Sequence, residues 1–125
     1  MEFPTDRKYS KEHTWISIQD NTGTIGITEF AQSELGEIVY ADLPNVGYSF
    51  QQDEVFGSVE AVKTVSDLFM PVSGKISETN ELLLIAPLLI NHNPYRDDWL
   101  IKNEIKDITE LDDLLTSNQY KELTN

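Results

Sequence analysis

Hydrophobic and polar positions alternate with period two over most of this chain, in short runs separated by turn residues. Trp15-Ile-Ser-Ile18 and Thr24-Ile-Gly-Ile27 flank Asp20-Asn-Thr-Gly23 and predict a β-hairpin. Thr28 then suits a helix N-cap, Glu29 the positive end of the helix and Gly36 the position past its last turn. The helix is expected to be about two turns long, with Phe30, Ala31 and Leu35 inward. Glu37 to Leu43 reads as a strand ended by Pro44-Asn-Val-Gly47, and Tyr48–Phe50 and Val55–Val62 read as strands around the Gln51–Glu54 turn. Lys75–Glu78 and Trp99–Ile105 give further strands, and Pro87 starts a short helical turn that stops at Asn91. From Asp107 the period changes: Ile108, Leu111, Leu114, Leu115, Tyr120 and Leu123 share one helical face and predict a C-terminal helix over 108–123. Short strands with frequent turns predict a mainly β fold, a small barrel or sandwich flanked by short helices.

With 125 residues and no repeat, the chain reads as a single domain over 1–125 with room for a core that needs no staples. It has no cysteine, which removes disulfides, thiolate metal sites and a catalytic thiol together. Twenty-two acidic against nine basic residues give a net charge of −13. Such a surface repels nucleic acid and anionic membrane and favours basic surfaces on other proteins. The first residues carry neither a secretory apolar stretch nor an Arg-rich transit pattern, so a cytoplasmic protein, or an organellar one already trimmed, is expected.

With so few basic residues, Lys63 stands out. It sits alone between Arg7-Lys8-Lys11 and Lys75, at the bend between two apolar strands, Val55–Val62 and Val65–Phe69, with Pro71 and Gly74 closing the unit. A lone lysine beside Glu60 is ordinarily a solvated charge. A lysine on a hairpin tip is also fully presented to any enzyme that modifies its amine. The other chemistry-bearing residues are less telling. His13 and His92 are far apart in sequence, Asp97-Asp98 and Asp112-Asp113 are most simply solvated, and no Ser-His-Asp or Gly-rich phosphate signature occurs.

The string Gly57-Ser-Val-Glu-Ala-Val-Lys-Thr-Val-Ser-Asp67 with Pro71-Val-Ser-Gly74 resembles the lipoyl-attachment hairpin of the glycine cleavage system H proteins. The likeness continues, in order, through Lys8–Trp15, Ile25–Gly36, Ile38–Gly47 and Asn93–Ile101. It implies a flattened lipoyl/biotinyl-type β-sandwich, a barrel-sandwich hybrid, that acts as a carrier rather than an enzyme. It implies lipoate joined to Lys63, with Glu60 and Gly74 recognised by a lipoate ligase or a lipoyl/octanoyl transferase. Partners implied are glycine decarboxylase, aminomethyltransferase and dihydrolipoamide dehydrogenase. Biotin carriers share the hairpin but usually flank the lysine with methionines, where this chain has Val62 and Thr64.

Two stretches depart from that family. An acidic residue usually stands where this chain has Thr14, in the cleft that shelters the loaded arm; Asp67 matches, and Glu12 would face the same side as Thr14 if both lay on one strand. Leu82-Leu-Leu-Ile-Ala-Pro-Leu-Leu-Ile90 replaces a more polar stretch and is expected either to fill core or to form a patch that contacts a partner, the patch being favoured. Both departures leave open an H-like lipoyl-relay protein, and the acidic face alone leaves open a non-carrier binding module.

Overall fold

The structure, a computed structural model, describes residues 2–96 and 98–124; Asp97, one of the acidic pair noted above, lies outside the described residues. Nine strands form two antiparallel sheets that do not close into a barrel. The larger sheet runs β1 (Lys8–Tyr9), β2 (Thr14–Gln19), β3 (Thr22–Ile27), β9 (Ile101–Ile105), β8 (Gly74–Thr79), β5 (Ser49–Phe50). The smaller runs β4 (Ile38–Asp42), β6 (Val55–Ala61), β7 (Val65–Phe69). Ile16, Ile25, Val59, Leu68, Ile76 and Ile101 bury the inner faces in one core, as period-two alternation requires.

Helix α1 (Glu29–Leu35) follows β3 and starts as its sequence predicts, with Thr28 Oγ1 accepting from Ala31 N–H at 3.1 Å. Gly36 ends it with φ +80°, a left-handed conformation that a side chain would strain. Ala31 and Leu35 pack on the main core, whereas Phe30 joins an aromatic cluster of Phe3, Tyr9, Trp15 and Tyr120.

The Leu82–Ile90 run divides between the two expected fates. It forms helix α2 (Leu82–Ile85) and a 3-10 helix (Pro87–Asn91), with Leu83 and Ile90 fully buried in the core. Leu82, Leu84, Ile85 and Leu88 remain exposed, Ile85 by 82%.

The C-terminus differs from expectation. The continuous helix over 108–123 is instead a 3-10 helix (Ile108–Asp113), an extended link and a short helix, α3 (Ser117–Thr124). The link bonds to β1: Tyr9 N–H donates to Leu115 O at 2.9 Å and Leu115 N–H to Tyr9 O at 2.7 Å. Two sheet bonds plus burial of Tyr120 outweigh the weak preference for continuing a helix. α3 then restarts on a reciprocal cap, Gln119 N–H to Thr116 Oγ1 at 3.2 Å and Thr116 N–H to Gln119 Oε1 at 2.9 Å.

Candidate functional site: the Lys63 hairpin and the cleft beside it

β6 and β7 pair with Glu60 opposite Val65, and Ala61 N–H donates to Thr64 O at 2.8 Å. That bond leaves only Val62 and Lys63 at the turn, so Lys63 occupies the tip itself. A second bond, Val62 N–H to Glu37 O at 3.3 Å, ties the tip to the residue before β4. Lys63 is exposed and forms no ion pair or hydrogen bond with the described residues. Val62 and Val65 beside it are exposed too. The amine is therefore held out by a braced turn while its neighbours leave apolar surface in water.

Glu60 lies on the outer face of the small sheet, exposed, between Tyr40 on β4 and Val65 on β7. It shares the hairpin with Lys63 and is open to a partner. Gly74 does not share that surface. It is buried in the other sheet, paired with Phe50 and Ile105. Its φ is not in the left-handed range, so turn geometry is not what requires glycine here. Close packing is: a Cβ at Gly74 would sit 2.3 Å from Asn103 Nδ2 and 2.5 Å from the Glu104 backbone oxygen.

β7 is an edge strand, and between it, α1 and the turn before β2 lies a cleft of about 410 Å³. Ile27, Phe30, Ala31, Leu35 and Leu68 give it apolar walls; Glu12, Glu34 and Asp67 give it three carboxylates, and His13 lines it too. Ser66, on its rim, is three residues past Lys63, about 10 Å along a strand. The arrangement suits a long apolar arm with a cationic tip, anchored at the hairpin.

Thr14 is not among the residues that line this cleft. It is 1% exposed; its hydroxyl shares a 2.7 Å hydrogen bond with Ser10 and donates to Phe69 O at 3.3 Å. Glu12 reaches the cleft although it lies outside any strand, because the turn over residues 10–13, closed by His13 N–H to Ser10 O at 3.1 Å, delivers it there. The shared strand face that would have paired Glu12 with Thr14 does not exist. Glu34 went unnoticed in the sequence, although it lies four residues after Phe30, on the face of α1 already assigned inward.

His13 has φ +71° and hydrogen-bonds through Nδ1 with Tyr120 Oη at 2.7 Å; burial pushes its pKa below the usual value, with Glu12 and Glu34 pulling the other way. Among the described residues no three His, Asp or Glu side chains are grouped to hold a metal ion. Among the described residues no helix is long and apolar enough to cross a membrane.

A model of the glycine cleavage H-protein family matches residues 7–125. The glycine cleavage system H protein of Staphylococcus haemolyticus is 52% identical over 123 residues, covering 98% of each chain. That of Bacillus cereus strain AH187 is 50% identical over 125 residues, covering 100% of this chain and 98% of its own. The crystal structure of a glycine cleavage system H protein from Mycobacterium marinum superposes with a TM-score of 0.89 at 37% identity, covering 96% of this chain and 97% of that one. By sequence along its length and by fold, the chain belongs to the glycine cleavage H-protein family.

Proposed function

We infer that this chain is the lipoyl carrier of the glycine cleavage system and that Lys63 is its attachment residue. The observation that carries the reading is an exposed, unpaired lysine amine at the tip of a braced two-residue turn, next to an acid-rimmed apolar cleft. The residues fit the group: the amine is accessible for amide formation, and the cleft offers apolar walls and carboxylates within reach of an arm. Lys63 Nζ would hold a lipoyl group through an amide, and the dithiolane of that group would supply the thiol–disulfide chemistry that carries an aminomethyl group between the decarboxylase, the aminomethyltransferase and dihydrolipoamide dehydrogenase.

The protein's own part is presentation and shelter. The hairpin holds the amine clear of the sheet so that one arm can reach several enzymes. Glu12, Glu34 and Asp67 supply negative charge around a cationic tip, and the apolar walls exclude water from it. Glu60, exposed on the same hairpin, is the residue through which a ligase or lipoyl/octanoyl transferase reads the site; Gly74 acts through packing. No catalytic group is required of the chain, and its working compartment in this reading is the cytoplasm. The relay alternative leaned on the missing carboxylate at Thr14 and on the Leu82–Ile90 run. Three carboxylates lining the cleft remove the first and larger support, and glycine cleavage is the stronger reading.

Incubation with lipoate and a lipoate ligase should add one lipoyl mass to the wild type and none to Lys63→Arg, which keeps charge and fold but loses the acylable amine. Reconstitution with the three partner enzymes should then release carbon dioxide from glycine with the wild type only. Lipoyl mass on the Arg variant would overturn the attachment site, and a lipoylated wild type inert in reconstitution would overturn the role.

A further inference from the structure

Thr28 is completely buried, and its hydroxyl oxygen already accepts from Ala31 N–H as the α1 cap. The hydroxyl proton needs an acceptor of its own, because a buried donor without a partner keeps its full desolvation cost. Among the described residues Tyr120 Oη, 2.7 Å away, supplies it. Tyr120 is also fully buried and has a single proton. With its oxygen accepting from Thr28, that proton goes to the other neighbour, His13 Nδ1, at 2.7 Å. Nδ1 is therefore an acceptor and the imidazole carries its proton on Nε2. The reverse order, with Nδ1–H donating to Tyr120, would send the tyrosine proton to Thr28 and strand the threonine proton.

His13 lines the cleft and its ring tilts against Phe30 at 5.1 Å between centroids. Nε2 has no hydrogen-bond partner among the described residues. We propose that Tyr120 is a positioning residue of the cleft: reaching from α3, it fixes His13 as the neutral Nε2–H tautomer, so the cleft gains a hydrogen-bond donor without gaining positive charge. The charged groups that act on the ring are Glu12 on its own turn and Glu34 on α1, Tyr120 on α3 bonds to it, and Asp67 on β7 lines the same cleft. A protonated His13 would oppose the field of the three carboxylates, and a cationic arm tip would be held less well. That use of the donor rests on the carrier reading; the tautomer does not.

The test uses the unmodified chain labelled with nitrogen-15, with long-range imidazole correlations followed between about pH 5 and 8. The only other histidine, His92, is exposed. Wild-type His13 is expected as one tautomer, Nδ1 unprotonated and Nε2 protonated, titrating below the usual histidine value. Tyr120→Phe keeps the ring that stacks on Tyr9 at 5.0 Å and lacks only the hydroxyl. It should give mixed tautomers and a higher midpoint, whereas Thr28→Ser, which keeps its hydroxyl, should reproduce the wild type. A protonated Nδ1 in the neutral wild type, or Tyr120→Phe spectra with unchanged tautomer and midpoint, would overturn the proposal. Should Tyr120→Phe not fold, the wild-type tautomer decides alone. No lipoyl group is involved, so a failure to lipoylate Lys63 would leave this result standing.

Discussion

Replacing Asn103 by valine should stabilise the protein. Asn103 sits on β9 at the centre of the six-stranded sheet, opposite Gly23 on β3 and Ile76 on β8. It is fully buried, and neither its Oδ1 nor its Nδ2 has a hydrogen-bond partner among the described residues. Gly23 opposite it and Gly74 further along β8 give its amide room: a Cβ at Gly23 would lie 2.6 Å from Oδ1 and one at Gly74 2.3 Å from Nδ2. Leaving a buried amide unsatisfied costs about 1–3 kcal/mol. Valine has one side-chain heavy atom fewer, removes both polar atoms and suits a strand by its β-branch. With an unfolding entropy of about 2.1 cal/mol/K per residue, 125 residues give about 0.26 kcal/mol per degree at the midpoint. The thermal midpoint should therefore rise by about 4–11 °C. Urea unfolding should show the same gain as a shifted midpoint with an unchanged slope. A variant that keeps its native sheet but melts at or below the wild type would refute the reasoning, because the amide would then have to be contributing bonds of its own.

Gly74→Ala should destabilise by about 1–3 kcal/mol through overpacking, and adding Asn103→Ala should recover only part, since the Glu104 backbone oxygen still meets the new Cβ; urea melts of the single and double variants measure both, and full recovery would contradict the backbone clash. Glu60→Gln should slow lipoylation at limiting ligase with its unfolding free energy within about 0.5 kcal/mol of wild type, as for an exposed residue; an unchanged rate would make Glu60 a bystander. His13 has a pKa lowered by burial, so below its unfolded value of about 6.5 the unfolded chain binds a proton that the folded one resists. Stability should thus fall as pH drops from about 6.5 toward the lower folded value, and His13→Asn, which tolerates the positive φ, should remove that slope in urea melts taken across the window.

What was legible in the sequence is what local physics decides. The first hairpin, the Thr28 cap, Gly36 and the Lys63 turn all rest on neighbours within a few residues. The C-terminal helix was misread because Ile108, Leu111, Leu114 and Leu115 mimic one helical face while serving two separate elements. Thr116-Ser-Asn-Gln119, a reciprocal cap, marked the true restart of the helix at Ser117. In β9 the inward position between Ile101 and Ile105 is held by a polar residue, Asn103, which interrupts the alternation there. In the cleft, Asp67 and Glu12 were foreseen, but Glu12 for a strand that is a turn. The link from His13 to Tyr120 spans 107 residues and no pattern within one segment could announce it.

The position of β9 has a consequence for how the molecule comes into being. It is the last strand in the chain, yet it lies between β3 and β8 and joins what would otherwise be two separate ribbons, β1-β2-β3 and β8-β5. The sheet that carries the hairpin, β4-β6-β7, needs nothing beyond residue 69 for its strand pairing. During synthesis the lysine turn can thus assemble while the larger sheet still waits for residues 101–105. Those pairings close loops of more than 75 residues back to β3, the slow kind of contact in folding. A nascent chain could display its modification turn before it has a finished body, and a ligase that reads only the turn would act on either.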